Sequence, residues 1–177
     1  MTLREGWEAF ETIHLTQGEI KVSDDAGAMM TTLVGSCVSA CLFDADAGMG
    51  GMNHFLLPED PNGDGQSALY GINQMELLIN SLVRMGARKS SLRAKLFGGN
   101  RMREGLGGVG ARNAALAETF LHDEGIPCLS KALRGNRAQR IQFHPASGRA
   151  RSKYISDAPV RSRRPAPVAG PGEVELF

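Results

Sequence analysis

Only two stretches of this chain carry a helical period, and short extended-type runs flank and separate them, an order that leaves few architectures open. Over residues 68–85 the apolar side chains Leu69, Ile72, Met75, Leu78, Ile79, Leu82 and Met85 recur at spacings of three and four. One helix face is therefore buried, and Gly86 ends the helix. A second helix is expected through Asn113, Leu116, Ala117, Phe120 and Leu121, closed by Gly125. Around these, residues 12–23 read as extended chain or a hairpin about Gln17-Gly18, and residues 29–34 as a buried strand stopping at Gly35-Ser36. Residues 49–57 read as a strand that contains His54 and ends at Pro58, and further strands are expected over 92–97 and 126–133. Residues 138–144 and 149–155 flank Pro145-Ala146-Ser147-Gly148 as a hairpin. The run 38–43 is apolar without a decisive period, and a strand or a short helix fits it equally. Strands clustered at both ends, with no repeating βαβ order, predict an α+β fold with helices packed on a mainly antiparallel, layered β-sheet core.

The 177 residues, 42% of them hydrophobic, suffice for a single domain with a sizeable core, expected over residues 1–155. From residue 156 to 177 the composition shifts to Pro, Arg, Ala and Gly with little to bury, which predicts a disordered tail. Lys and Arg number 20 against 19 Asp and Glu, so no global field draws nucleic acid or an anionic membrane. Arg161, Arg163 and Arg164 are diluted by Pro165 and Pro167, and read as a solvated end. The first residues carry Glu5 and Glu8 and no apolar run, and nothing later approaches the roughly 18 apolar residues of a membrane span. A cytoplasmic location without membrane insertion is expected. There the three cysteines, Cys37, Cys41 and Cys128, would be thiols.

Those thiols direct attention to chemistry. Cys37 follows Gly35-Ser36 at the mouth of a strand, and His54 lies 17 positions later in Gly50-Gly51-Met52-Asn53-His54-Phe55. A nucleophilic thiol needs a base, backbone N–H groups that polarise the attacked carbonyl, and a third group to hold the imidazole. A sharply turned backbone at Cys37 exposes Sγ and can aim its own N–H at a developing oxyanion. If the two strands are neighbours, His54 comes into reach. Thr31, six residues before Cys37, could then accept a hydrogen bond from His54 and set its tautomer.

The same residues also suit an inert core, because free Cys is among the most buried residue types and His packs readily between apolar neighbours. Cys41 within Val38-Ser39-Ala40-Cys41-Leu42-Phe43, and Cys128 beside Pro127, read as packed core. A zinc site from Cys37, Cys41 and His54 lacks a fourth ligand, and His14, His122 and His144 show no pairing pattern, so no metal is expected. Gly105-Leu106-Gly107-Gly108-Val109-Gly110 matches G-x-G-x-x-G. Arg101, Met102, Arg103 and Glu104 separate it from its strand, however, and residues 128–133 hold no acid, so the glycines read as a flexible loop at the rim of a site.

The stretch Thr31-Thr32-Leu33-Val34-Gly35-Ser36-Cys37-Val38-Ser39-Ala40-Cys41-Leu42-Phe43-Asp44, continuing to Gly50-Gly51-Met52-Asn53-His54-Phe55-Leu56-Leu57-Pro58, closely resembles the CheD family of chemoreceptor glutamine deamidases. Lys95-Leu96-Phe97-Gly98-Gly99-Asn100, Gly110-Ala111-Arg112-Asn113 and Gly135-Asn136-Arg137-Ala138 extend the resemblance over residues 31–138. The family often has Gly-Gly-Ala where this chain has Gly98-Gly99-Asn100, a departure that touches substrate positioning rather than the catalytic group. The resemblance implies a protein-glutamine glutaminase that needs no cofactor, with a Cys-His-Thr triad falling on Cys37, His54 and Thr31. Its substrate would be the cytoplasmic helices of chemotaxis receptors, and a CheC-type phosphatase is a partner that the family admits. A non-catalytic adaptor for receptors or for such a phosphatase, and a cysteine amidase with another protein substrate, are the competing readings.

Overall fold

The apolar run that the sequence left open between strand and helix is a strand, and the fold is arranged around it. In the computed structural model, which describes Trp7, residues 9–102 and residues 108–156, nine strands and two α-helices follow one another. They are β1 (Glu11–His14), β2 (Ile20–Ser23), β3 (Ala28–Val34), β4 (Val38–Asp44), β5 (Met49–Asn53), α1 (Gln66–Met85), β6 (Arg93–Gly98), α2 (Val109–Asp123), β7 (Cys128–Leu133), β8 (Gln139–His144) and β9 (Arg149–Tyr154). A five-stranded sheet has the order β2-β5-β4-β6-β7, and a four-stranded sheet the order β1-β3-β8-β9. Only β1 with β3 and β6 with β7 pair in parallel, so both sheets are mainly antiparallel. The tail after residue 156 and the glycines at 105 and 107 lie outside the described residues.

Strand β4 is central in its sheet and every residue of it is buried. Val38, Ala40 and Leu42 join a core with α1 and α2, including Met75, Leu78, Leu82, Ala114 and Ala117. Cys41 and Phe43 point the other way, into a second core with Met30, Val34, Ile141 and Phe143 of the four-stranded sheet. Burial on both faces explains the missing period, since alternation marks only a strand with one face in water. The layers are therefore helices, five-stranded sheet, four-stranded sheet.

Helix α1 buries Gly71, Met75, Leu78 and Leu82 along one stripe. Leu69 is 56% exposed, because it lies on the opposite side of the helix from Gly71, so the expected apolar face is shorter at its start. At the other end Gly86 takes a left-handed φ of 116°, donating to Val83 O, while Ala87 N–H reaches Leu82 O. That is the glycine stop read from the sequence.

Residues 12–23 form no hairpin with each other. Strand β1 pairs with β3 in one sheet and β2 with β5 in the other, so the turn between them crosses from sheet to sheet. At the far edge β7 is largely exposed on both faces, with Leu129 58% accessible, and Cys128 stands in solvent rather than in the core. The residue lies at the edge of the sheet, where only one neighbouring strand, β6, covers it.

The end of β6 approaches the strand entry more closely than any side chain allows. Gly98 has φ 100°, and a Cβ there would lie 2.1 Å from the carbonyl oxygen of Cys37. Gly98→Ala is expected to cost about 2–4 kcal/mol through strain and overpacking, or roughly 5–15 °C in Tm for a domain of this size. Gly63→Ala, with φ 62° and nothing within 4 Å, should cost only about 1–2 kcal/mol. Equal losses by thermal melting would show that the approach of Gly98 to Cys37 is not tight.

Candidate active site

Strand parity decides which side chains meet. Beyond β5 a single bridge pairs Val38 with Phe55, with Val38 N–H donating to Phe55 O at 3.0 Å and Phe55 N–H to Val38 O at 2.9 Å. Phe55 is fully buried on the helix side, so His54, one residue earlier, faces the four-stranded sheet. Cys37, one residue before Val38, packs against the core between the two sheets. The two side chains are thus diagonal neighbours on one face of an antiparallel pair. His54 stands just past the end of β5 rather than inside the strand, with its backbone held by the residues leading into β2: His54 N–H donates to Glu19 O at 3.1 Å, and Gly18 N–H to His54 O at 2.7 Å.

The hydroxyl on His54 belongs to Thr32. Its Oγ1 lies 2.7 Å from His54 Nδ1, whereas Thr31 Oγ1 turns away and donates to Ile141 O at 2.7 Å. The expected third residue is therefore displaced by one position. The reason is again parity: Thr32 lies on the same face of β3 as Met30 and Val34, which pack against the five-stranded sheet, and Thr31 lies on the other.

Thr32 Oγ1 also donates to Leu15 O at 2.9 Å. A hydroxyl has one proton, so with that proton committed to the carbonyl it can only accept from Nδ1–H of the imidazole. The resulting tautomer leaves Nε2 unprotonated. Burial pushes His54 below its ordinary 6.5 and the Cys37 thiol above 9.0, the latter partly offset by the backbone N–H of Cys37 itself. The resting site is a neutral thiol beside a neutral imidazole.

The backbone around Cys37 is held by three consecutive carbonyls. Gly35 O accepts from Asn100 N–H, Ser36 O from Asn113 Nδ2 and Cys37 O from Gly99 N–H, each at 2.8 Å. Among the described residues no hydrogen-bond acceptor outside Cys37 itself engages its N–H, which leaves that group free to act as an oxyanion donor. Asn113, fully buried on α2, also accepts from Leu57 N–H at 3.0 Å, and so ties the entry to Cys37 to the exit from His54. Asn100 accepts from Gly135 N–H and donates to Arg137 O, both at 2.9 Å, joining the same loop to the β7–β8 connection. From the sequence Asn113 stands out only as a position of a helix face and as part of the Gly110-Ala111-Arg112-Asn113 resemblance, with no role at the site; an amide on an apolar stripe was the available signal. Gln17, expected only at a turn, brings its Oε1 to 3.6 Å from Cys37 Sγ.

Cys41 is fully buried and its thiol is pushed far above the ordinary range by burial. Among the described residues no group of three or more His, Cys, Asp or Glu converges as a metal site would require.

The family model described as CheD chemotactic sensory transduction matches residues 56–154, more than half of the chain and beginning just after His54. A Caulobacter sp. (strain K31) protein named "Probable chemoreceptor glutamine deamidase CheD" is 50% identical over 173 residues, covering 93% of this chain and 92% of that protein. The chain belongs to the CheD family. An Agrobacterium fabrum CheD of the same name is 46% identical over 177 residues, covering 96% of this chain and 98% of that protein. These CheD relatives span nearly the whole chain, well beyond the matched segment. Among solved structures, a Neisseria meningitidis protein of the DUF152 family model covers 71% of this chain and 64% of its own length at 11% identity, with a TM-score of 0.47.

Alkylation of the native protein separates the three thiols. Cys41 should stay unmodified, and Cys128 should react as an ordinary exposed thiol whatever stands at position 54. Labelling of Cys37 should slow roughly tenfold or more in His54→Ala, which removes the neighbouring base. Peptide mapping that finds Cys37 and Cys128 equally indifferent to His54 would dissociate the imidazole from the thiol.

Proposed function

We propose that this CheD protein hydrolyses glutamine side chains of chemotaxis receptors to glutamate, releasing ammonia, with Cys37 as nucleophile, His54 as base and Thr32 as the group that orients the imidazole. The observation that carries the reading is the Thr32 hydroxyl: with its proton on Leu15 O, it holds His54 with Nδ1 protonated and Nε2 basic on the face it shares with Cys37. The names of the relatives support the substrate class.

In this mechanism Cys37 Sγ attacks the carboxamide carbon while His54 Nε2 takes the thiol proton. The carbonyl oxygen gains the negative charge and is met by the N–H of Cys37. The imidazolium then gives its proton to the amine, ammonia leaves, and a thioester remains. Water, deprotonated by the same Nε2, adds to the thioester, and Cys37 departs as the thiol with the glutamate formed. All of this occurs between groups of the chain and water, so no cofactor enters. Among the described residues no helix is long and apolar enough to cross a membrane. Our reading places the enzyme in the cytoplasm, where its thiol stays reduced and receptor helices are accessible.

The pH profile follows from the burial of the pair. The attacking form needs His54 neutral, and burial disfavours the imidazolium, so kcat/KM should hold its plateau until the pH falls below 6.5. Its alkaline change should come above 9.0, since burial also disfavours the thiolate. A preformed thiolate–imidazolium pair would instead bring thiol ionisation, followed by alkylation rate, well below 9.0.

Mutagenesis on a soluble receptor fragment tests the assignment, with mass spectrometry reading the gain of about 1 Da per deamidated glutamine. Cys37→Ser should abolish the product while the fold survives, and His54→Ala should be nearly as severe. Thr32→Ala loses one buried hydrogen bond, on the order of 1–3 kcal/mol, and should slow the reaction about tenfold to a hundredfold. Thr31→Ala, compared at equal stability, should change the rate by less than about threefold, since its hydroxyl serves Ile141 O. Full receptor modification by Cys37→Ser would remove Cys37 as the nucleophile, no modification by wild type would support the adaptor reading instead, and a crippled Thr31→Ala would restore the residue expected from the sequence.

A further inference from the structure

Cys37 Sγ has a polar neighbour that the mechanism above leaves idle. Gln17 Oε1 accepts from the thiol at 3.6 Å, although Gln17 is an exposed residue with no packing role. Its neighbours along the chain are nonetheless tied to the strands of the triad. It sits in the turn that crosses between the sheets, where Leu15 N–H donates to Thr31 O at 2.9 Å and Leu15 O accepts from the Thr32 hydroxyl. On the other side Gly18 N–H donates to His54 O, and Glu19 O accepts from His54 N–H. The carboxylate of Glu19 closes the turn onto Thr16 N–H at 2.7 Å. Gln17 is thus bracketed by bonds to the strand of Thr32 and to His54 itself, with a free side chain directed at the thiol.

We infer that Gln17 is a specificity-determining residue of this site, whose carboxamide pairs with the carboxamide of the substrate glutamine, an inference that rests on the deamidase reading above. A primary carboxamide carries an acceptor and a donor side by side, and the complement to that pattern is another carboxamide. Nε2–H of Gln17 donates to the substrate carbonyl oxygen, and Oε1 accepts from the substrate N–H. Two consequences follow. The thiol proton, no longer held by Oε1, is released towards His54 Nε2 as substrate enters. The Nε2–H of Gln17 also becomes a second donor, beside the N–H of Cys37, on the oxygen that turns negative when sulfur adds. A γ-methyl ester offers the same carbonyl oxygen but no N–H, so Oε1 would face ester oxygen without a proton between them. Gln17 therefore selects amide over ester.

The test compares wild type, Gln17→Ala, Gln17→Glu and Cys37→Ala on a receptor-helix peptide carrying glutamine, and on the same peptide carrying γ-methyl glutamate. In Gln17→Ala, kcat/KM for the amide should fall roughly tenfold to a hundredfold, mostly in kcat, while the ester loses less than about threefold. Gln17→Glu, which keeps the shape but loses the donor and adds a negative charge, should be at least as slow on the amide. A second readout does not depend on turnover: the ratio of Cys37 alkylation rates by iodoacetamide and methyl iodoacetate should fall several-fold in Gln17→Ala, since only the amide reagent can pair with Gln17. Equal losses on amide and ester would leave Gln17 an oxyanion donor or a structural residue that does not select amides, and would overturn the inference, as would an unchanged alkylation ratio. Conversion of Gln17 itself to glutamate in the wild-type protein would overturn it too, by making the side chain a substrate rather than a partner. If wild type produces no more glutamate than Cys37→Ala, the deamidase reading has failed, and the alkylation ratio alone decides for or against Gln17.

Discussion

Strand β4 has no face in water, and the remainder of the molecule is arranged to keep it so. Val38, Ala40 and Leu42 require the two helices on one side, and Cys41 and Phe43 require a second sheet on the other. Removing one such large side chain from a core of this kind costs about 2–5 kcal/mol, a large share of a domain's net stability. The same strand carries the candidate nucleophile at its mouth, and its last bridge, Val38 with Phe55, sets Cys37 and His54 diagonally on one face. The geometry of the site is therefore inherited from core packing rather than from a flexible loop. That suits chemistry in which a misplacement of about 1 Å can cost a hundredfold in rate.

The electrostatics of the pair are those of a partly dry place with little charge. A threonine hydroxyl, not a carboxylate, meets Nδ1 of His54, so the imidazolium gains little stabilisation and burial lowers its pKa. The thiol, also half-buried, stays protonated at neutral pH. On the proposed mechanism the proton moves during attack instead of beforehand, and rate depends on presenting the amide carbon correctly. Donors at the oxyanion then carry much of the burden, which makes the free N–H of Cys37 and the amide of Gln17 the groups that matter most.

Around the pair, amides do the holding. Asn113 spans from Ser36 O to Leu57 N–H, and Asn100 from Gly35 O to the β7–β8 connection. Each replaces a ladder bond where the strands diverge, and each is buried, so every polar atom it brings must be matched. Gly98 admits this arrangement by letting β6 approach the carbonyl of Cys37 to a distance that no side chain tolerates, and Gly99 by lying close to Gly110 and Ala114 of α2.

The class of fold was legible in the residues themselves, since two helical periods among short extended runs permit little beyond helices on layered antiparallel sheets, and Gly86 and Gly125 punctuate the chain where the helices stop. Cys37 and His54 could be singled out as candidates from a Gly-Ser-Cys turn and a histidine on the following extended run, but that they share a face was decided by the register of the Val38–Phe55 bridge. The identity of the hydroxyl on His54 was not legible. Residues 29–34 are apolar on both faces, with Met29 and Leu33 on one and Met30 and Val34 on the other, so neither parity stands out along the chain. Only the packing of the second sheet, which buries Val34 and leaves Leu33 half exposed, turned Thr32 rather than Thr31 inward. The same holds for Gln17 and Asn113: each reaches the site through a sheet crossing or a helix–loop contact between residues 20 to 77 positions apart, and no local period records a contact of that range.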